Sequence, residues 1–535
     1  MKELKEIKLE DLSPRQKLGM SMISLITKKD PAKVEYVLEM IRNHSLGAVW
    51  VNHMTPGRAE LMQKIKDAAD YPILIMTDAE GGLGQCRIGR HNTLGCANSE
   101  ELAYAFGKVM AVTARNMGYN VICDPVLDMT TQNCVCGSVV RDIGGDKQRV
   151  AELAVAECRG MHDGGILTLA KHYPGFAGTE GYIDSHMAES TSEMTKEELI
   201  EENLYPYRAL IKEGLLDGIM TKHARFVNID PDYPASLSQK MINIIRELGF
   251  DGISITDALT MMGVVAKFGR ENSIGLAVAN GNDMALPYYG NPKFEYEALC
   301  ECYDKGMISD ERLDDAVTRV LAAQHKTLAQ PKFTELTQED YDTFERLNRE
   351  STYAYLDEGV SATLDRNANH LFVVLAESAF DINSRDKVIV DTMNKDWYHP
   401  SEISERIKSY FPNSEVTALP IFPSSSEIHD LLNKTILHDD VVFITFFNSA
   451  AYVGRECLTS RVISTMDALQ VTKQISTLVH FGNPFVLEDL PHIPRILVGT
   501  ISTANTLYTI DMLAGELPVK GTAPYDIKLK KTVKK

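Results

Sequence analysis

Between Lys171 and His186 the chain reads KHYPGFAGTEGYIDSH, which places a Lys-His pair, a Pro-Gly break, three glycines and an Asp-x-His pair within sixteen residues. Such groups bind polar ligands and move protons. Asp184 and His186 stand two residues apart. If the backbone turns between them, the carboxylate holds the imidazole, fixes its tautomer and favours its cation, which suits a His acting as general acid and then base near neutral pH. A surface Asp and His without contact is the other reading of the same tripeptide. The glycines permit the loop to double back on itself.

Other polar groups recur at comparable places. Asp78 and Glu80, Lys171 and His172, Lys222 and His223, and Asp257 each follow directly on a short apolar run. The runs are LGAVWV from residue 46, YPILIMT from 71, NVICDPVLDM from 120, ILTLAKHYPG from 166, GIMTKHARF from 218, FDGISITDALTM from 250 and NDMALPYYG from 282. Seven strand candidates separated by helix-length amphipathic stretches predict parallel β/α units. Over residues 1–330 they predict a (β/α)8 TIM-type barrel with one further strand still to be located. The polar groups then gather at the C-terminal mouth, where every βα loop opens.

The polar, helix-favouring stretch 331–352 reads as a linker. Across 353–535 the runs HLFVVLAES, DVVFITFFNSA, ISTLVHFGNP and RILVGTIST alternate with helical spacing and predict a C-terminal α/β sandwich domain. The fold class is therefore α/β in two domains.

Of the 535 residues, 44% are apolar and 24% charged, as in ordinary globular proteins. Lys and Arg number 55 against 74 Asp and Glu, a net charge of −19, which argues against nucleic acid or an anionic membrane as partner. The KLKKTVKK tip reads as a solvated end. No run approaches the ~18–20 apolar residues of a membrane span, and the charged start lacks an apolar signal core, so a cytoplasmic protein is expected. The nine cysteines, an odd number set mostly beside apolar or small residues, read as free thiols. Cys134/Cys136 and Cys300/Cys302 lack the C-x2-C spacing of a zinc ribbon, so no metal and no organic cofactor is expected.

The Lys171–His186 element resembles the KH-F/I-PGHG-x4-D-S/T-H loop of glycoside hydrolase family 3, in its β-N-acetylglucosaminidase branch. TDAEGG (77–82), NVICDPVLDM, VVRDIGGD around Arg141 and the segment DGIMTKHARFVNIDPDYPASLSQKMINIIRELGFDGISITDALTM match family elements in the same order. HFGNPFVL and AGELPVKGTAPYDI extend the likeness into the second domain. The resemblance implies a retaining exo-β-N-acetylhexosaminidase. Asp257 falls on the nucleophile that forms a covalent glycosyl-enzyme, and His186, oriented by Asp184, falls on the acid/base in place of the usual second carboxylate. Asp78, Lys171, His172 and Arg141 fall on sugar-binding positions. Glu80 and His223 are each a pocket wall or a buried strut, and Asp128 reads as structural. The implied ligand is a carbohydrate, the implied role is turnover of cell-wall or chitin fragments, and a monomer or homodimer is expected.

Three departures stand out. Phe176 replaces the family's His, and eight residues rather than six separate Pro-Gly from Asp-Ser-His, so the loop must reach its site by another path. After EGG, Leu83 and Cys86 occupy the places of two arginines. One sugar contact is thus absent or supplied differently, with Arg87, one step on, the candidate. Cys123 and Asp124 precede Pro125 where apolar or small residues are usual, and the extra carboxylate either recognises a substrate group or caps a turn. The alternatives are a phosphorylase, since a His does not repel incoming phosphate as a carboxylate would, another β-glycosidase of the family, and, from a different class, an inactive sugar-binding or sensing protein.

Overall fold

The computed structural model describes residues 4–27, 30–131, 139–176, 183–376, 400–447, 458–472 and 474–530. Its chain divides into two compact units. The first holds Met1–Cys86, Glu100–Thr130 and Asp146–Phe344; the second holds Arg87–Ser99, Thr131–Gly145 and Glu345–Lys535. The division is not one cut in sequence, since two segments from the N-terminal half belong to the second unit. The stretch read as a linker carries a helix, Gln338–Glu350, and the boundary falls inside it.

In the first unit seven strands run parallel in the order β1 (Ile23–Leu25), β2 (Ala48–Trp50), β3 (Leu74–Thr77), β4 (Val121–Ile122), β5 (Leu167–Tyr173), β6 (Gly218–Thr221) and β7 (Ile253–Thr256). The strand not located in the sequence is β1, whose three residues follow a helix, Pro14–Met20, too closely for a separate apolar run to stand out. The NDMALPYYG run forms no ladder. It supplies single parallel bridges, Ile255 to Met284 on one side and Met22 to Ala285 on the other, and these close the sheet into a barrel.

A cluster of buried side chains touching all seven strands lies inside that barrel: Ile23, Ala48, Leu74, Met76, Val121, Leu167, Leu169, Met220, Ile253, Ile255 and Met284 among them. Successive strand residues alternate faces, so the residue two beyond each of these also points inward. Leu74 and Met76 lead to Asp78, Leu167 and Leu169 to Lys171, Met220 to Lys222, and Ile253 and Ile255 to Asp257.

The opposite end is stitched by buried carboxylates. Asp217, just before β6, accepts from Thr168 N–H of β5 at 2.8 Å and pairs with His162 at 2.7 Å. Asp283, just before the closing bridges, accepts from Ser254 N–H of β7 at 2.9 Å and holds Arg246, Arg312 and Arg319 at 2.8–3.0 Å. Outside the barrel, helices Glu100–Met117 and Lys147–Asp163 cross closely because Gly107 and Gly160 carry no side chain. A Cβ at either would lie 2.0 or 2.2 Å from a carbonyl oxygen of the partner helix.

The second unit is built on a six-stranded sheet in the order β8 (Tyr353–Leu356), β13 (Arg495–Gly499), β12 (Ile475–Gly482), β11 (Asp440–Phe447), β9 (His370–Ala376), β10 (Glu415–Pro420), parallel except for β8. Helices Pro400–Tyr410 and Thr503–Leu513 pack on it around a core that includes Phe372, Ile407, Phe411, Ile444, Phe446, Phe481, Leu497 and Leu513. Among the described residues, no helix is long and apolar enough to cross a membrane.

Candidate active site

Asp257 ends β7, with its N–H donating to the Thr221 carbonyl at 2.9 Å, so β6 sets its height at the barrel mouth. Its Oδ1 accepts from Ala258 N–H at 2.7 Å. Burial pushes the Asp257 carboxyl up, but the imidazoles of His172, His223 and His186 and the Ala258 amide outweigh it and hold the group below its ordinary value. Of the three imidazoles, His223 is fully buried and burial pushes it below the usual histidine range. Its Nε2 lies 3.0 Å from the Ala258 carbonyl oxygen, which can only accept, so Nε2 carries the proton and Nδ1, 2.7 Å from Ser236 Oγ, accepts. Of the two readings open for His223, this geometry is the buried strut.

The Asp184–His186 spacing closes as a turn. Asp184 Oδ1 accepts from His186 N–H at 2.9 Å and contacts His186 Nδ1 at 2.7 Å, while the Asp184 carbonyl accepts from Met187 and Ala188. The Asp184 side chain is 4% exposed and the His186 ring 22% exposed. A buried carboxylate against Nδ1 accepts the Nδ1 proton and fixes the tautomer and orientation of the ring. The lengthened stretch between Phe176 and Ile183 lies outside the described residues. Phe176 itself is buried, with Lys222 Nζ 3.7 Å above its ring, so the aromatic face receives a cation.

Lys171 is 1% exposed. Its Nζ lies 2.5 Å from Asp78, 2.7 Å from Glu80 and 4.0 Å from Asp124. Glu80 is thereby a buried ion-pair strut, whereas the Asp78 side chain is 45% exposed and faces the mouth. Asp124, fully buried, accepts from Ala79 N–H at 3.1 Å, between Asp78 and Glu80 in sequence. Its carboxylate thus anchors the end of β3 rather than capping its own turn. The β5–β6 pairing is irregular between Lys171 and Tyr173, and that bulge frees His172 from strict alternation. His172 Nδ1 lies 2.6 Å from Asp128, whose side chain is 1% exposed. Asp128, read as structural, orients a second imidazole, and its place three residues after Pro125 in NVICDPVLDM was the signal available for that role.

Eight of the ten expected site residues lie in the first unit; Arg87 and Arg141 lie in the second. Arg87 is exposed. Arg141 follows Val140, whose φ of 69° lies in the left-handed region. Tyr525 of the GTAPYDI segment braces this turn, its Oη accepting from Val140 N–H at 3.1 Å and donating to Asp142 at 2.6 Å.

Residues 14–323 match the model of the glycosyl hydrolase family 3 N-terminal domain. A β-hexosaminidase of Tolumonas auensis is 32% identical over 262 residues, 46% of this chain and 77% of that protein. A β-hexosaminidase of Pseudomonas aeruginosa is 38% identical over 192 residues, 35% of this chain and 56% of its own length. Among solved structures, a family 3 β-N-acetylglucosaminidase from Paenibacillus sp. superposes with a TM-score of 0.80 at 25% identity, covering 97% of this chain and all of that one. The β-glucoside phosphorylase BglX shares the fold, with a TM-score of 0.78 at 22% identity over 97% of this chain and 95% of its own.

Proposed function

The chain belongs to glycosyl hydrolase family 3, and from that premise we propose that it is a retaining exo-β-N-acetylhexosaminidase releasing terminal β-linked N-acetylhexosamine. The observation that carries the reading is the 2.7 Å pair of buried Asp184 with His186, on the same barrel mouth as an Asp257 kept ionised by neighbouring imidazoles. In the first step the Asp257 carboxylate attacks the anomeric carbon while His186 Nε2–H protonates the departing glycosidic oxygen. In the second, His186 takes a proton from water, whose oxygen displaces Asp257 and restores the free carboxylate. Asp184 stabilises the imidazolium at both stages.

Asp78, exposed at the mouth, accepts sugar hydroxyl protons. Lys171 and Glu80 hold it in place from behind, and His172, oriented by Asp128, adds a hydroxyl contact. Preference for N-acetylglucosamine is supported by the names of the relatives. Turnover of cell-wall or chitin fragments in the cytoplasm belongs to the same proposal and rests on family likeness.

A second reading, phosphorolysis, is favoured by a histidine at the acid/base position, which does not repel an incoming phosphate dianion as a carboxylate would. One experiment addresses both. Nitrophenol release is measured from nitrophenyl β-glycosides of N-acetylglucosamine, N-acetylgalactosamine, glucose and xylose, with and without phosphate, for the native protein, Asp257→Ala and His186→Ala. The hydrolase reading requires N-acetyl-sugar cleavage that is indifferent to phosphate and lost in Asp257→Ala. A phosphate-dependent sugar 1-phosphate product replaces it with phosphorolysis, and binding without cleavage replaces both with a sugar-binding protein.

A further inference from the structure

The turn that carries Asp184 and His186 rests on a specific seat. The loop after Asp257 leads into the helix Met262–Phe268, and the first two amides of that helix point at the turn. Met262 N–H donates to the His186 carbonyl and Gly263 N–H to the Ser185 carbonyl, each at 3.1 Å. Amides in the first helical turn have no partner within the helix, so they are available to bind another segment. Here they bind the backbone of the acid/base turn itself. Asp184 and Ser185 are buried in that contact, at 5% and 6% exposure.

Position 263 leaves no room for a side chain. A Cβ there would lie 2.7 Å from the Ser185 carbonyl oxygen and 2.9 Å from that of Ala188. The neighbours are backbone atoms and cannot rotate away. The loop between the nucleophile and this seat is itself held, by Thr221 at Asp257, by His223 at the Ala258 carbonyl and by the Leu286 carbonyl at Leu259 N–H. Nucleophile and acid/base therefore share one support only six residues long, from Asp257 to Met262.

We propose that the start of the Met262–Phe268 helix is the seat of the acid/base turn, and that Gly263 is the positioning residue that lets His186 settle at its working height relative to Asp257. The proposal rests on His186 being the proton donor. It adds that donor placement is decided on the nucleophile's loop rather than within the His186 loop, and that the sequence requirement for it is the absence of a side chain at 263.

Two substitutions test the seat by independent routes. Gly263→Ala adds the Cβ, and the turn must retreat by roughly 0.7 Å, from 2.7 to 3.4 Å, a displacement of the size that costs up to about 100-fold in a proton-transfer geometry. Met262→Pro deletes the amide that donates to His186. Proline is accepted at the first helical position, and the preceding Met261, at φ −67° and ψ 136°, already has the extended conformation that a following proline demands. The Met262 side chain is 46% exposed, so little packing is lost.

The readout is kcat/KM on aryl N-acetyl-β-glucosaminides with an activated leaving group (2,4-dinitrophenol) and a poor one (phenol). A misplaced donor slows only the substrate that needs protonation. Both variants are expected to keep the dinitrophenyl rate within about two-fold and to lose about ten-fold or more on the phenyl glycoside. His186→Ala serves as the reference, with the same selectivity at larger amplitude. Equal losses on both substrates, or a wild-type ratio in either variant, overturns the seat. If His186→Ala itself shows no leaving-group selectivity, the donor assignment falls instead and takes the seat with it.

Discussion

Replacing Lys171 by Met tests the buried charge cluster behind the sugar-facing edge. The ammonium it removes lies 2.7 Å from Glu80, 2.5 Å from Asp78 and 4.0 Å from Asp124. Asp78 is nearly half exposed, and water takes over its solvation, so its share is about 1 kcal/mol or less. Glu80 and Asp124 are 5% and 0% exposed and have no such recourse. Removing one member of a buried ion pair costs about 3–5 kcal/mol, most of it the penalty on the charge left behind. At about 2 °C or slightly more per kcal/mol for a unit of this size, the barrel transition should fall by roughly 6–12 °C. Differential scanning calorimetry of the native protein and Lys171→Met at neutral pH measures the shift. Adding Glu80→Gln to Lys171→Met neutralises one stranded carboxylate and should recover about half of the loss, because the two sites share one network. A shift below about 2 °C, or a double variant less stable than the single one, would show that these carboxylates are not desolvated as their burial implies, and the account of the cluster would fail.

Other consequences follow for single groups. His172 supplies the largest attraction lowering the Asp257 carboxyl, and Asp128 holds its ring in place through the 2.6 Å contact at Nδ1. Asp128→Asn should therefore move the acid limb of kcat/KM to higher pH, and an unmoved limb removes His172 from that role. His223→Phe leaves the Ala258 carbonyl and Ser236 without their partner and should cost about 1–3 kcal/mol per stranded polar group, read as a lower urea midpoint. In the second unit, burial lowers His480 to about 4. Between pH 6.5 and 4 the unfolded chain then binds a proton that the folded unit does not. This stabilisation is fully present above pH 6.5 and is lost as pH falls toward 4, by about 3 kcal/mol over the interval. His480→Gln should flatten that part of the pH dependence in urea titrations; an unchanged slope assigns the acid sensitivity elsewhere.

Local sequence determined where most of the site's side chains could point. Alternation along a strand is a property of neighbouring residues, so Leu74-x-Met76, Leu167-x-Leu169 and Ile253-x-Ile255 already committed Asp78, Lys171 and Asp257 to the inner face once their runs were buried. The Asp184–His186 contact was legible for the same reason, since a two-residue turn brings its own ends together. What only tertiary structure decided were contacts between residues far apart in the chain. Asp128 meets His172 from another strand end, Lys171 is enclosed by carboxylates from β3 and β4, and the acid/base turn sits on amides some seventy-five residues downstream. The short strand Ile23–Leu25 and the single bridges at Met284 and Ala285 likewise carry too few residues to announce themselves, and barrel closure gives them partners. The membership of 87–99 and 131–145 in the second unit is of the same kind, because which body a loop joins depends on the packing it finds and not on its own composition.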